Sequence, residues 1–225
     1  MSPEQGNTGS FEEIVTGLRA ALEATNSARE EALRASREII QYASRTIRAV
    51  HRGEMEMAHT LVNEARTRVE TVRKILAGHP EVYFAGYVLD SQKEYVEAQT
   101  MIAIVGEEPL PAPEALGVEP AAYLNGIAEA ASESRRYVLD RLRAGEIKRA
   151  DAVLKVMDDI YYELITFDFP DAITGGLRRT TDALRAVLER TRGDLTLTLA
   201  QKRLETALMR ANAAVQPTAA EEAQP

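Results

Sequence analysis

Two pairs of acidic residues have the spacing of neighbours on one face of a helix. Glu94 and Glu97 lie three residues apart, and Glu129 and Glu133 lie four residues apart in a later segment. Residues at these spacings share a helix face. Because Mg²⁺ takes oxygen ligands, two converging carboxylate pairs would suit a hard divalent cation. Acidic residues at helical spacing are also typical of a solvated face, and that interpretation stays open.

The first acidic pair belongs to a line of side chains that changes character along the helix. The line starts at Asp90, passes through Glu94 and Glu97, and continues into Met101 and Val105. Apolar residues at helical spacing are typical of the side of a helix that packs into a core. The apolar continuation therefore weakens the solvated-face interpretation without excluding it.

A second helical line is rich in arginine and spans about five turns of the first long helical segment. Its members lie three or four residues apart: Arg34, Arg37, Gln41, Arg45, Arg48 and Arg52. The guanidinium group is well shaped to bind phosphate oxygens. Acidic residues are sparse on this line, which favours phosphate binding over the alternative of a solvated face paired with acids.

Composition limits the classes of protein that this chain can belong to. Its 225 residues carry 27 basic and 35 acidic side chains, for a net charge of −8, which does not suit a simple nucleic-acid coat protein. The chain has no cysteine, which excludes disulfides, thiolate nucleophiles and cysteine-based zinc sites. No apolar run has the length of a membrane span, and the polar start lacks a signal-peptide core. We expect a soluble cytoplasmic protein without a membrane partner.

Periodicity predicts an all-α chain of six or seven antiparallel helices in one domain. Ser10 and Glu13 have the spacing of a capping box at the start of a long first helix that ends at Gly53. Later helices are expected at 54–77, 81–105, 120–144, 146–167 and 177–212. The alternating segment 195–199 could form a strand, but its helical surroundings favour a helix. Residues 10–212 form the predicted domain, and 1–9 and 213–225 are expected to be disordered.

Several helices carry apolar residues on more than one face, and a first helix of about 40 residues is long for a free-standing domain. Both features indicate interfaces of a homo-oligomer.

Four stretches, in the same order and with matching spacing, resemble the translin and translin-associated factor X superfamily. The stretch KEYVEA at 93–98 is similar to the family's QEYVEA, and residues 123–136 resemble its YxxGVAD…GE…R helix. Residues 36–39, 44–47 and 51–52 resemble its SRDI…SKRTI…LHR segment, and 143–146 fall at its TAGDY turn. The similarity covers roughly residues 11–206, and the chain is identified as an archaeal-type member of this superfamily.

This resemblance implies a seven-helix bundle of the translin type that assembles into a closed hexamer or octamer around a cavity. Translin binds single-stranded RNA and DNA, whereas translin-associated factor X supplies Mg²⁺-dependent endoribonuclease activity. The residues that match its catalytic, metal-binding acids are Glu94, Glu97, Glu129 and Glu133. Glu129 departs from the family, which often has Asp there, but it still offers oxygen ligands.

The resemblance and the residues together predict an endoribonuclease that cleaves single-stranded RNA with Mg²⁺ or Mn²⁺ held by the four glutamates. Arg37, Arg45 and Arg48 are the candidates for binding phosphates of the nucleic acid. The alternative for each is an ion pair that steadies the acids. Two other functions stay open: a non-catalytic oligomer that binds single-stranded RNA or DNA, and a scaffold protein without nucleic-acid affinity.

Overall fold

The computed structural model describes residues 10–215, and all regular structure in this range is helical, which confirms the predicted fold class. Residues 10–215 form six long helices and three single-turn ones: α1 (Phe11–His51), α2 (Met55–Ile75), α3 (Pro80–Tyr83), α4 (Gly86–Gly106), α5 (Pro113–Leu116), α6 (Pro120–Arg143), α7 (Ile147–Leu164), α8 (Asp171–Thr174) and α9 (Leu177–Val215). Segment 1–9 and residues 216–225 of the expected disordered segment 213–225 lie outside the described residues, whereas 213–215 belong to α9.

Local sequence signals mark both ends of α1. The capping box at the start of α1 is formed, since Ser10 Oγ accepts from the Glu13 N–H and the Ser10 N–H donates to the Glu13 carboxylate. Gly53 follows α1 with a φ of +75°, a conformation that glycine adopts without steric cost. The segment 195–199 is helical as expected. The last helix continues to Val215, beyond the predicted boundary at 212.

The helix expected at 81–105 is split in two. A single turn, α3, ends at Tyr83, and α4 begins at Gly86 after Ala85, whose backbone is extended with φ −68° and ψ 143°. Apart from proline, glycine is the least favourable residue in a helix, so a helix is easily interrupted beside Gly86. The acidic stretch 93–98 lies near the middle of the shorter helix α4.

The core forms around α4, which packs against α1, α2 and α6, while α6 packs in turn against α7 and α9. Tyr95 and Met101 of α4 are fully buried. At Gly126 of α6 the two helices lie so close that a Cβ atom would be 2.6 Å from the Val96 Cβ and 2.7 Å from the Lys93 carbonyl oxygen. Glycine is therefore required for this approach of α6 to the acidic segment of α4.

Large apolar side chains remain exposed on the outer parts of the two longest helices. On α1 they lie three or four residues apart, and Phe11 and Leu22 are 81% and 71% exposed: Phe11, Ile14, Leu18 and Leu22. On α9 they include Leu204, Leu208 and Met209. No other part of residues 10–215 covers these faces. None of the helices in this range has both the length and the apolar character needed to cross a lipid bilayer.

Candidate metal centre between α4 and α6

Three of the four predicted acids converge in the structure. Glu94 and Glu97 come from α4 and Glu129 from α6, and each offers a carboxylate oxygen within 4.8 Å of the others. All three residues are partly buried. Ligands on opposite sides of one Mg²⁺ are separated by roughly 4.2 Å, twice the usual Mg–O distance. Small side-chain rotations would thus bring the three oxygens onto one ion.

The fourth predicted acid, Glu133, lies beside this group and is bound to a histidine. Its Oε1 is 2.6 Å from Nε2 of His51, the last residue of α1. The side chain of His51 is 2% exposed and that of Glu133 is 36% exposed. The charge of Glu133 nevertheless contributes to raising the pKa of Glu97. Glu133 is therefore a neighbour of the three-carboxylate group, and its role as a ligand stays a prediction.

Lys93 is a positively charged residue that contacts this carboxylate group. Its Nζ lies 2.9 Å from Glu129 Oε1, and both side chains are partly buried. Burial lowers the pKa of Lys93, but the hydrogen bond to Glu129 and the nearby carboxylates of Glu129, Glu94 and Asp90 outweigh it, so the net pKa is raised. Lys93 is thus held in its charged form.

The group carries more negative charge than the protein itself offsets. Burial, and then the charges of Glu94, Glu129 and Glu133, raise the pKa of Glu97 to about 8 against the lowering effect of Lys93. Burial also raises the pKa of Glu94, helped by Glu129 and Asp90 and opposed by Lys93. A divalent cation bound to these carboxylates would stabilise their charged forms, and so would oppose the effects of burial and of the neighbouring negative charges on their pKa values. The donor set and its charge therefore fit Mg²⁺ or Mn²⁺.

The three predicted phosphate-binding arginines lie on the exposed side of α1. Arg48 donates to Ser44 Oγ at 2.7 Å, and the Arg45 guanidinium lies 5.8 Å from the centre of the Tyr42 ring. Among residues 10–215, neither these two nor Arg37 forms an ion pair with a carboxylate. The alternative in which they pair with acids is thus not realised within the described chain, and their role in binding nucleic acid stays a prediction.

A cavity of about 680 Å³ adjoins the carboxylate group and is lined by residues of α4, α6 and the start of α9. Lys93 and Glu129 belong both to the carboxylate site and to the lining of the cavity, and Arg179 adds a further positive charge to this lining. Buried Asn125 also lines the cavity and is held in place, since its amide donates to the Thr174 carbonyl and its oxygen accepts from Thr180. The cavity is wide enough to receive part of a bound molecule beside the acids.

Three residues of this site were not predicted from the sequence as site residues: His51, Lys93 and Arg179. His51 stands 82 positions from its partner Glu133, and helical spacing reports only local neighbours. Its one sequence signal is that the pair His51-Arg52 closes the arginine-rich stretch of the first helix. The Gly175-Gly176 pair before the last helix marks the turn that precedes Arg179.

No protein-family model matches this chain. The uncharacterised protein MJ0175 of Methanocaldococcus jannaschii is 30% identical over 187 residues, which is 82% of each chain. Two structures of AfC3PO from Archaeoglobus are 36% identical, with TM-scores of 0.77 and 0.78, and the match covers 83% of this chain and 97% of theirs. The first of them is a complex with duplex RNA. Apo-NeC3PO from Nematostella shares the fold at 21% identity and a TM-score of 0.75, over 86% of this chain and 100% of its own.

Proposed function

This chain belongs to the translin and translin-associated factor X superfamily, and we propose that it is a cytoplasmic, metal-dependent endoribonuclease. The main support for this proposal is the convergence of Glu94, Glu97 and Glu129 within 4.8 Å in a partly buried place. A surface cluster of acids would keep ordinary pKa values, whereas the pKa of Glu97 is raised to about 8. Strongly perturbed groups of this kind are typical of functional sites.

In this proposal Glu94, Glu97 and Glu129 hold Mg²⁺ or Mn²⁺, with Glu133 as a fourth ligand. The bound cation would supply an activated water molecule and offset the charge that develops on the phosphate. Lys93 holds Glu129 through its hydrogen bond of 2.9 Å and limits the charge of the site before the substrate enters. No histidine with solvent access lies in the group, so acid–base catalysis by an exposed histidine pair does not fit this site.

The proposed substrate is RNA, and its single-stranded form is the one that we expect to be cleaved. Arg37, Arg45 and Arg48 would bind phosphates along α1, and the cavity with Arg179 would receive a nucleotide next to the cleaved bond. AfC3PO has been seen with duplex RNA, so the experiment must compare both forms of the substrate. Single-stranded DNA is a further expected ligand.

We also propose that the chain forms a closed homo-oligomer, a hexamer or an octamer. The exposed apolar faces at the start of α1 and the end of α9 support this, since patches of this kind mark protein–protein contacts. Enclosure would place the acids in a shared interior and keep them from solvent. It would also explain how a chain with a net charge of −8 handles a polyanion, because local charge and not the total governs binding.

A second candidate function is a non-catalytic oligomer that binds single-stranded RNA or DNA. Two of the four acids already have protein partners, Glu129 with Lys93 and Glu133 with His51. Polar contacts of this kind would also be present if the acids served only to hold α1, α4 and α6 together. This candidate predicts that nucleic acid binds in the presence of EDTA and is not cut when metal is added.

The deciding experiment measures both binding and cleavage of labelled single-stranded and duplex RNA by the full chain with Mg²⁺, Mn²⁺ or EDTA. The test variant is Glu94→Gln/Glu97→Gln, and the matched control is Glu108→Gln, which alters an exposed acid in the loop after α4. Metal-dependent cleavage that is lost in the double variant and kept in the control would support the ribonuclease. Binding without cleavage would favour the second candidate, and the absence of both would contradict each of them.

A further inference from the structure

The buried side chain of His51 contacts the candidate metal centre but has no route to a substrate. It is 2% exposed, and its Nε2 lies 2.6 Å from Glu133 Oε1. Its Nδ1 is buried and has no hydrogen-bond partner among the described residues. Leaving a buried polar atom unpaired is costly, so such an atom needs an explanation in a native fold. Among the described residues, the only hydrogen bond of the His51 side chain is the one to Glu133.

The unpaired Nδ1 indicates how the ring is used. With nothing to accept a proton from Nδ1, the neutral ring places its proton on Nε2, where it donates to the Glu133 carboxylate. The other oxygen of Glu133, Oε2, has no protein partner within residues 10–215 and remains able to bind another group. One oxygen of the carboxylate is thus anchored to α1 while the other is available on α6.

This inference rests on the proposed function and refines its metal site. We propose that His51 is a positioning residue that anchors Glu133 and so completes the metal centre with a fourth, oriented carboxylate. Outer groups that hydrogen-bond a metal-binding carboxylate fix its orientation and contribute to metal affinity. His51 also connects α1, which carries the predicted phosphate-binding arginines, to Glu133 of α6. Because the ring is buried, it acts through Glu133 and not on the RNA.

Two substitutions of His51 distinguish the effect of its hydrogen bond to Glu133 from the effect of having any polar side chain at this position. The amide of glutamine reaches the position of Nε2, whereas the shorter asparagine reaches only the position of Nδ1. His51→Gln can therefore still donate to Glu133, while His51→Asn cannot. A purely structural role would be disturbed by both changes, since each replaces the ring with a smaller amide.

The measurement is Mn²⁺ affinity of the full chain without RNA, by calorimetry or electron paramagnetic resonance, for the wild type, the two His51 variants, Glu133→Gln and the double variant His51→Asn/Glu133→Gln. We expect His51→Asn to weaken Mn²⁺ binding by about 10- to 100-fold and His51→Gln to recover most of that loss. If His51 acts only through Glu133, the double variant should bind Mn²⁺ within about twofold of Glu133→Gln, as in a double-mutant cycle.

Three results would overturn the inference. Equal Mn²⁺ affinity of the wild type and folded His51→Asn would remove the positioning role and leave the proposed metal site intact. Independent, multiplicative losses in the double variant would show that His51 does not act through Glu133. A wild-type chain that binds no Mn²⁺ would overturn both this inference and the proposed metal-dependent function. If His51→Asn does not fold, His51→Phe, which keeps a ring but cannot donate to Glu133, replaces it in the comparison with the wild type and in the double variant with Glu133→Gln.

Discussion

Gly126 tests whether the close approach of α4 and α6 assembles the carboxylate group. Alanine at this position would place its Cβ 2.6 Å from the Val96 Cβ and 2.7 Å from the Lys93 carbonyl oxygen. Ordinary contacts between carbon atoms are about 3.5–4.0 Å long, so the two helices must separate by roughly 1 Å. Val96 and Lys93 lie within the stretch that carries Glu94 and Glu97, and Gly126 lies one turn before Glu129. The separation of the two helices would therefore move the carboxylates of the metal site apart.

The expected effect on stability is small because two terms oppose each other. Overpacking of a core costs roughly 1–3 kcal/mol. Alanine favours the helix over glycine by roughly 1 kcal/mol, which offsets part of that cost. The free energy of unfolding should thus fall by about 0–2 kcal/mol, and the variant should remain folded. A shift of about 1 Å in a catalytic arrangement can reduce the rate by about 100-fold, so activity should suffer far more than stability.

The assay compares urea unfolding, Mn²⁺ affinity and RNA cleavage of Gly126→Ala with those of Gly193→Ala. Gly193 lies in α9, and a Cβ there would meet no atom within 4 Å. The control substitution should raise stability by up to about 1 kcal/mol and leave cleavage unchanged. If Gly126→Ala binds Mn²⁺ and cleaves RNA as well as the wild type does, the site does not depend on this approach of the helices. An equal loss of activity in Gly193→Ala would also contradict the reasoning.

Three further outcomes are expected. In EDTA, the free energy of unfolding of the wild type should fall as the pH rises from about 4.5 to about 8, and should then level off. In this range Glu97 keeps its proton in the folded chain, where its pKa is about 8, but has lost it in the unfolded chain. Glu97→Gln should flatten this decline in urea unfolding measured across the same range, and parallel curves would contradict the assignment. Replacing Arg37, Arg45 and Arg48 together with alanine should reduce the slope of log affinity for single-stranded RNA against log salt by about 0.7 for each phosphate that these side chains neutralise; an unchanged slope would exclude their binding to phosphate. Leu18→Glu, on the exposed apolar face of α1, should lower the mass measured by analytical ultracentrifugation, and an unchanged mass would place the subunit interfaces elsewhere.

Local sequence patterns were enough to place the helices and to identify the residues that share a face. Glycine breaks at Gly53 and Gly145, the capping box at Ser10 and the apolar periodicity are local signals, and each has its expected counterpart in the structure. The same local periodicity placed Glu94 and Glu97 on one line, and the four family-like stretches pointed to the superfamily. The split between α3 and α4 was missed because the helical pattern of the sequence continues across it.

Which faces meet could be read only from the packed helices. Periodicity fixes the direction of a side chain relative to its own helix, but it contains no information on the neighbouring helix. Glu129 meets the acids of α4 one turn after Gly126, where the two helices approach closely, and Glu133 meets His51 across 82 positions of the sequence. Burial between packed helices also raises the pKa of Glu97 to about 8, a property that the same residue on a solvated face would lack.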